Sequence, residues 1–317
     1  MTLPGRRTSS GYVNLLKSPG VTSHGAVASV RRITGATKAG HAGALDPAAA
    51  GVLVVALEQA TRLTSYVTAA AKSYRAEVTF GVATDTLDAQ GRVTARASAA
   101  ALTADRVCTA LERFRGRVAQ TPPMHSALRR RGKRLYRLAR AGKTVDRPPR
   151  WVVIESLALL RFSPGEHPRA LIDATCSGGT YLRSLAADLG AAVGLPAHLS
   201  FLVRTRVGSF QLLESTTLDE LAARAAADDV ASAILPLDAP LASMPRVVLN
   251  PEQRAAVRCG QAVAAPRGQM AAAEGTEVAT TDEVAMYDES GALLGIARIE
   301  DRDILRPRLV LMKEQRD

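Results

Sequence analysis

The segment from Ala39 to Pro47 places one imidazole and one carboxylate among glycines and alanines. It reads Ala-Gly-His-Ala-Gly-Ala-Leu-Asp-Pro, and His41 and Asp46 are its ionisable side chains. Glycines allow a tight loop that approaches other groups closely, and Pro47 biases Asp46 towards an extended conformation. A carboxylate held on such a loop can act as a nucleophile or as a general base. The pattern also fits an ordinary turn, and that alternative stays open.

Two segments that follow offer an aromatic ring and further carboxylates. From Tyr74 to Phe80 apolar and polar residues alternate, which predicts a half-buried strand with Tyr74 on its apolar face. A tyrosine at such a position is usually part of the core. The sequence Asp85-Thr-Leu-Asp88-Ala-Gln-Gly has too few ligands for a calcium-binding loop, so a solvated turn is the simpler interpretation.

Arg183 lies at the start of a predicted helix. The run from Cys176 to Arg183 reads as a strand, a Gly-Gly turn and the first helical residues. Helix N-termini attract anions, so a cation in the first turn opposes the helix dipole. This placement indicates an anionic partner for Arg183, although an ordinary surface arginine is the alternative.

The segment 125–150 is the most basic part of the chain. It carries ten basic residues against one acidic residue, a net charge of +9 in 26 residues. We call it the basic arm; its basic residues are Arg129, Arg130, Arg131, Lys133, Arg134, Arg137, Arg140, Lys143, Arg147 and Arg150. Such a density of like charge predicts contacts with phosphates rather than an ordinary solvated helix.

The charge of the whole chain indicates a polyanionic partner. The chain has 317 residues, a length that corresponds to about two domains. Its net charge is +11. Residues 245–317 carry a net charge of −2, so residues 1–244 carry +13. Nucleic acid is the commonest ligand of so basic a domain, although an arginine-rich composition from coding bias would look similar.

Several classes of protein find no support in the sequence. No phosphate-binding, dinucleotide-binding or zinc-protease motif occurs, so we expect no cofactor and no metal. Three cysteines without a CxxC pair suit a reducing cytosol rather than a disulfide framework. The N-terminus shows no signal-peptide pattern, and the longest apolar run is too short for a membrane span. We therefore expect a cytoplasmic protein.

The elements that must position these groups alternate between strand and helix without a strict βαβ rhythm, which predicts an α+β fold. Ser23 is the predicted cap of a helix that ends at Gly35, and Thr103 is the predicted cap of a helix closed by Gly116. Gly190 is expected to close the helix that carries Arg183. Strands are predicted at 11–16, 51–57, 151–162 and 170–177, and a hairpin at 283–299 belongs to a small β-rich C-terminal part.

Taken together, these segments resemble the TruB family of tRNA pseudouridine synthases. Gly40 to Pro47 resembles the catalytic loop of that family, Lys72-Ser-Tyr74 its strand motif, and Asp85 to Gly91 its acidic loop. Residues 122–140 resemble its RNA-gripping insertion, and Cys176 to Gly190 its arginine motif. The resemblance runs in order through residues 11–210. Three positions depart from the family's pattern. The family usually has proline directly after this lysine, whereas here Ser18 separates Lys17 from Pro19. His125 stands where tyrosine is usual, and Arg62 stands where lysine is usual.

The resemblance implies isomerisation of uridine 55 in the T loop of tRNA to pseudouridine. It implies a mixed-sheet catalytic domain at 11–244 after a flexible tail at 1–10, with an RNA-binding insertion at 121–150, and a PUA-like domain at 245–317. The family's catalytic positions correspond to Asp46, Tyr74 and Arg183. Its substrate-binding positions correspond to His41, Tyr74, Asp88, Tyr181 and Leu202, and Arg129, Arg130, Arg131, Lys133 and Arg134 would contact the RNA backbone.

In this interpretation Tyr74 stacks on a flipped-out uridine, His41 fills the space the base leaves, and Arg183 with Asp88 holds Asp46. We expect a monomer that binds the T stem-loop without a nucleotide cofactor or a membrane. Two alternatives remain: an enzyme of the same fold that acts on another RNA, and an RNA chaperone in which catalysis is dispensable.

Overall fold

The computed structural model describes residues 9–126, 128–130, 132–143, 145–265, 282–300 and 304–311, and within the basic arm it describes only the backbone of residues 129, 130, 133, 134 and 140. The expected flexible tail at 1–10 lies almost wholly outside the described residues, as does Arg131.

The described chain alternates between strands and helices. The strands are β1 (Gly11–Lys17), β2 (Ala39–His41), β3 (Ala50–Leu57), β4 (Lys72–Phe80), β5 (Val82–Thr84), β6 (Val93–Arg96), β7 (Gly116–Gln120), β8 (Arg129–Arg130), β9 (Lys133–Arg134), β10 (Arg150–Ser163), β11 (Arg169–Cys176), β12 (Ala197–Val207), β13 (Phe210–Gln211), β14 (Arg246–Leu249), β15 (Val263–Ala264), β16 (Glu283–Asp288), β17 (Leu293–Glu300) and β18 (Ile304–Val310). The α-helices are α1 (Ser23–Thr34), α2 (Thr64–Ala69), α3 (Ala104–Glu112), α4 (Leu135–Arg140), α5 (Leu182–Ala192), α6 (Leu218–Ala226) and α7 (Pro251–Arg258).

A nine-stranded mixed sheet forms the centre of the molecule. Its strand order is β1-β3-β12-β4-β11-β10-β7, with β2 paired to β3 and β13 paired to β12. β12 runs parallel to β3 and antiparallel to β4. The predicted α+β class with a mixed sheet is therefore confirmed, and β12 joins the two halves of the sheet.

The burial of each strand follows its sequence. β3 is a continuous apolar run, and it is buried on both faces from Gly51 to Leu57. β4 alternates as predicted, so that Tyr74 and Phe80 point into the main core together with side chains of α3 and α5. A strand buried on both faces needs an apolar residue at every position, whereas a strand covered on one face needs one at every second position.

Three helix ends differ from the sequence prediction. The cap of α1 is Thr22 rather than Ser23, because the Thr22 hydroxyl accepts the Gly25 N–H. α5 continues past Gly190 to Ala192, and a Cβ at Gly190 would lie 2.5 Å from the Ala197 Cβ, so this glycine permits close packing rather than ending the helix. The caps Thr103 and Gly35 are confirmed, although α3 ends at Glu112, before the predicted Gly116.

The C-terminal residues form a second sheet. Its order is β14-β16-β17-β18-β15, and the predicted hairpin is present as β16 and β17. One apolar cluster contains Tyr12, Val54 and Phe210 of the central sheet together with Ile296 and Tyr287 of this second sheet. The two sheets therefore share a core, and the division of the chain at residue 244 stays a prediction.

The basic arm leaves the central sheet between β7 and β10. It holds the short pair β8 and β9, followed by α4. Where the chain returns at β10, the residue Trp151 is 64% exposed, and the Arg117 guanidinium lies 4.5 Å from the centre of its ring. Among the described residues, no helix is long and apolar enough to cross a membrane.

Candidate functional site

The carboxylate of Asp46 stands on a loop between β2 and β3. We call residues 42–47 the Asp46 loop. The side chain of Asp46 keeps 43% of its surface exposed, so the loop presents it towards solvent from a structured base. Partial burial of the carboxylate raises the pKa of Asp46 above the ordinary value, and the charge of Arg183 opposes that rise without cancelling it.

Arg183 extends from the first turn of α5 and grips both oxygens of Asp46. Its Nε lies 2.9 Å from Asp46 Oδ2, and its Nη2 donates to Asp46 Oδ1 at 3.1 Å. The guanidinium is only 5% exposed, and it also donates to the carbonyls of Thr86 and His125. Such a bidentate ion pair orients the carboxylate and favours its ionised form.

Asp88 is the second carboxylate at this arginine. Its Oδ2 lies 3.7 Å from Arg183 Nη1, and its other oxygen accepts from the Thr86 hydroxyl and the Gln90 N–H. The segment from Asp85 to Gly91, which we call the acidic turn, is therefore anchored at the site rather than solvated. Asp88 also raises the pKa of Asp46, because a second negative charge nearby disfavours ionisation.

Tyr74 forms the apolar wall beside this pair. It is buried in β4, paired with Ala174 of β11 and Arg204 of β12, and burial raises the pKa of its hydroxyl. Asp46 is close enough to raise that pKa further. The sequence left open whether Tyr74 is core or site, and the structure places it in both: in the main core, and within electrostatic reach of Asp46.

His41, Tyr181 and Leu202 lie on three different parts of the chain. His41 ends β2, burial lowers its pKa, and its buried Nδ1 has no hydrogen-bond partner within the described parts of the chain. The backbone of Tyr181 is held on both sides by the Gln120 side chain. Leu202 lies on β12 and packs against the core that contains Tyr74.

Three buried cations beneath the site were not identified as site residues from the sequence. Lys17, Lys72 and Arg204 are 1%, 5% and 1% exposed. Burial lowers the pKa of each lysine to about 8, and the charge of Arg204 contributes in both cases. Each donates to backbone carbonyls: Lys17 to Pro47, Lys72 to Thr68 and Ala70, and Arg204 to Val52 and Gly43. The alternation of β4 places Lys72 on the same inward face as Tyr74 and so indicates its burial, whereas β1 is buried at nearly every position and shows no alternation that marks Lys17.

The basic arm borders the site from one side. Arg129 and Arg130 lie on β8, Lys133 and Arg134 lie on β9, and their backbones form a short antiparallel pair. The carbonyl of His125, at the start of the arm, accepts from Arg183. The base of the arm and the Asp46 pair therefore share one arginine.

The arrangement suits chemistry on an uncharged, planar group. It offers a directed carboxylate next to an aromatic wall, which together can supply a nucleophile or a base beside a stacking surface. Within the described residues, no group of three His, Cys, Asp or Glu side chains could hold a metal ion.

Three family models match consecutive parts of the chain. Residues 31–182 match TruB family pseudouridylate synthase (N terminal domain), residues 183–242 match tRNA pseudouridylate synthase B C-terminal domain, and residues 245–311 match Pseudouridine synthase II TruB, C-terminal. The boundary between the first two falls between Leu182 and Arg183 at the start of α5. The Asp46–Arg183 pair thus joins residues from two of the matched parts.

Curated relatives share much of the sequence. The chain is 53% identical to tRNA pseudouridine synthase B of Symbiobacterium thermophilum over 254 residues, which cover 80% of this chain and 83% of that protein. It is 42% identical to tRNA pseudouridine synthase B of Moorella thermoacetica over 308 residues, which cover 95% of this chain and 99% of that protein.

Solved structures share the fold. The chain matches a Cbf5-Nop10-Gar1 complex with a TM-score of 0.73 and 28% identity, covering 95% of this chain and 85% of that one. It matches an H/ACA RNP bound to a substrate RNA containing 2'-deoxyuridine with a TM-score of 0.72 and 26% identity, covering 96% and 86%.

Proposed function

Because the chain belongs to the TruB family of pseudouridylate synthases, we propose that it is the tRNA pseudouridine synthase that isomerises uridine 55 in the T loop. The enzyme class, an isomerase, follows from the family. The names of the relatives support tRNA as the substrate, and the motif resemblance supports position 55.

One observation carries the proposal: the buried Arg183 binds both oxygens of the Asp46 carboxylate. A protein that only binds RNA has no use for a carboxylate presented to solvent next to an aromatic wall, since a negative charge repels phosphates. An enzyme that must approach an uncharged uridine needs such a group. This favours catalysis over a pure RNA chaperone.

The reaction requires one bond exchange and no net oxidation. The N1–C1′ bond of uridine breaks, the base turns, C5 bonds to C1′, the C5 proton leaves and N1 takes up a proton. Asp46 would act on the sugar or the base as nucleophile, or on a sugar proton as base. Arg183 keeps that carboxylate aimed throughout.

Base flipping brings the uridine to this carboxylate. A base inside the folded T loop must leave its stack, and the Tyr74 ring would receive it. His41, whose pKa is lowered by burial, would occupy the vacated space. Tyr181 and the Leu202 backbone would complete the pocket, with Asp88 anchoring Arg183.

The basic arm would hold the T stem through its phosphates. We propose Arg129, Arg130, Arg131, Lys133 and Arg134 as backbone contacts, because the arm starts at the carbonyl that Arg183 binds and carries a net charge of +9. We further propose that a monomer with a PUA-like C-terminal domain works in the cytoplasm, without a cofactor.

The decisive experiment uses an unmodified tRNA transcript with tritium at uridine C5. Formation of the C5–C1′ bond releases that tritium to water. We expect one equivalent per tRNA, and none when uridine 55 is replaced by cytidine. Full tritium release from the cytidine variant would show that another uridine is modified. Binding without any release would favour the chaperone.

A further inference from the structure

The Asp46 loop is tied to the protein core through its main chain as well as through Arg183. Polar groups of its backbone bond to several different elements. Ala42 N donates to Val54 O, and Leu45 N donates to Ser23 Oγ, which in turn donates to Leu45 O. Arg204 Nη2 donates to Gly43 O, and both Gly20 N and Lys17 Nζ donate to Pro47 O. Loops usually satisfy such groups with water, so this loop is built to keep one conformation.

Ser23 makes the most local of these contacts. Its Oγ accepts the Leu45 N–H at 2.9 Å and donates to the Leu45 carbonyl at 2.9 Å, and the residue is 5% exposed. One hydroxyl therefore fixes both peptide planes of the residue before Asp46. Since the helix cap is Thr22, the Ser23 side chain is free for this task.

Arg204 makes the second contact and links it to Tyr74. Its Nε donates to Val52 O at 2.8 Å and its Nη2 to Gly43 O at 3.0 Å, so one planar group spans β3 and the loop. In the sheet Arg204 lies directly opposite Tyr74. The loop and the aromatic wall are thus located by the same residue of β12.

We propose that Ser23 and Arg204 are positioning residues that hold the Asp46 loop so that the carboxylate meets Arg183. The proposal deepens the proposed function and rests on it for its kinetic consequence. A misplacement of about 1 Å in a reacting group can lower a rate about 100-fold. Both residues act at a distance from the substrate, through the backbone of residues 43–45.

The first variant is Ser23→Ala, with Ser29→Ala as the matched control. Ser29 lies further along the same helix at a partly exposed position. At saturating tRNA we expect Ser23→Ala to lower the single-turnover rate about 10- to 100-fold, with the Kd for tRNA within about twofold of the unaltered chain. Ser29→Ala should change neither quantity. Ser23→Thr, which retains the hydroxyl, should recover most of the rate.

The pH profile separates positioning from a general loss of structure. The charged groups that face Asp46 are Arg183 of α5, Asp88 of the acidic turn and Lys17 of β1. Activity that needs the ionised carboxylate falls as pH drops through the pKa of Asp46. Arg183 lowers that pKa, so loosening the pair in Ser23→Ala should move the acid limb of the profile to higher pH, while Ser29→Ala leaves it in place.

A measurement without substrate keeps this inference separate from the proposed function. Carbon NMR of aspartate-labelled protein, with the Asp46 signal assigned by its absence in Asp46→Asn, gives the pKa directly. We expect a higher pKa of Asp46 in Ser23→Ala and in Arg204→Lys, since lysine lacks the rigid planar fork through which Arg204 Nε and Nη2 reach the Val52 and Gly43 carbonyls. An unmoved pKa in both folded variants would overturn the positioning role, whatever the activity on tRNA. A missing tritium release from the unaltered chain would overturn the proposed function instead.

Discussion

At the scale of single residues, the site depends on a carboxylate and a guanidinium that stand 137 positions apart in the chain. Arg183 is buried and donates to Asp46, to Thr86 O and to His125 O, so its donors are occupied within the site. Asp46 is the partner that remains open to solvent. The pair is therefore asymmetric: one member is fixed, and the other is available to a substrate.

Replacing Asp46 by Asn tests this asymmetry. Asn has nearly the shape of Asp but no charge, so we expect the single-turnover rate to fall about 10⁴-fold or more while the Kd for tRNA stays within about twofold. Tritium release and filter binding measure the two quantities. Asp85→Asn is the matched control at an aspartate of the acidic turn that pairs with Arg92. A parallel loss of rate and binding in Asp46→Asn would remove Asp46 from the chemistry.

The sequence indicated the site residues that follow distinctive segments of the chain, and it missed the site residues whose neighbours in the chain are ordinary. Asp46 and Arg183 follow glycine-rich turns, which stand out in any sequence. Ser23 was predicted as a helix cap, one position away from the actual cap. The burial of Arg204 depends on the position of β12 between β3 and β4, and no local pattern reveals that order. The bonds from Arg204 to the Val52 and Gly43 carbonyls appear only once β3 and β12 are side by side, whereas Lys72 bonds carbonyls that precede it by only two and four residues.

At the scale of elements, the contact between β3 and β12 is unusually close. The backbone of Gly51 pairs with Arg204, and a Cβ on Gly51 would lie 2.2 Å from the Arg204 carbonyl oxygen. Gly51 also has a φ of +108°, a conformation that other residues rarely adopt. The one parallel pairing of the central sheet in the described residues thus requires glycine at this position.

Gly51→Ala should therefore destabilise the protein by about 2–4 kcal/mol, since overpacking costs about 1–3 kcal/mol and the left-handed backbone adds about 1 kcal/mol. Gly116→Ala is the control: its φ is +79°, but a Cβ there would meet nothing within 4 Å, so we expect about 1 kcal/mol. Urea unfolding measures both. Equal effects would mean that the sheet relaxes around the added methyl group.

The basic arm is predicted to contribute through charge. Reversal of Arg129, Arg130 and Arg131 to Glu should weaken tRNA binding and reduce the slope of log K against log salt by about 2–3, because each phosphate contact contributes about 0.7–0.9. The matched control reverses three exposed arginines elsewhere, Arg31, Arg32 and Arg113. If both triple variants change the slope equally, the effect belongs to net charge and the arm is not a specific contact.

Elements were predicted more accurately than their ends. The two-residue alternation of β4 and the apolar run of β3 were correct because burial imposes those patterns directly. The helix ends predicted at Ser23, Gly116 and Gly190 were wrong because these residue types do not mark helix ends alone. Threonine and serine can both cap a helix, and glycine also serves turns and close packing. Gly190 serves the packing of α5 on β12, which is a tertiary requirement.

At the scale of the whole molecule, the two sheets share apolar side chains. Arg62 of the central part donates to Val310 O, and the Tyr66 hydroxyl donates to Glu283 of the second sheet. Ile296 is fully buried in the cluster that also contains Tyr12 and Phe210. The C-terminal part has an apolar cluster of its own, which contains Val247, Val257 and Leu305, and it also packs against the central sheet through the shared cluster; its division from the rest of the chain stays a prediction.

Ile296→Ala should consequently destabilise both sheets together. We expect one calorimetric transition, shifted to lower temperature by the equivalent of about 2–5 kcal/mol for a buried aliphatic residue. Leu213→Ala, at a leucine that is 96% exposed, should leave the transition in place. Two separated transitions, with the larger one unmoved, would show that the sheets unfold independently.

The exposed indole at the base of the arm has an optical consequence. The chain contains one tryptophan, so all indole fluorescence comes from Trp151, whose ring is largely in water with a guanidinium 4.5 Å from its centre. Its emission will be that of a solvated indole, and iodide, an anion drawn to the neighbouring positive charge, will quench it readily. RNA lying along the arm will shield the ring from that quencher. The protein therefore carries its own label at the junction of the arm and the central sheet, and the arrival of RNA there can be timed without attaching a dye.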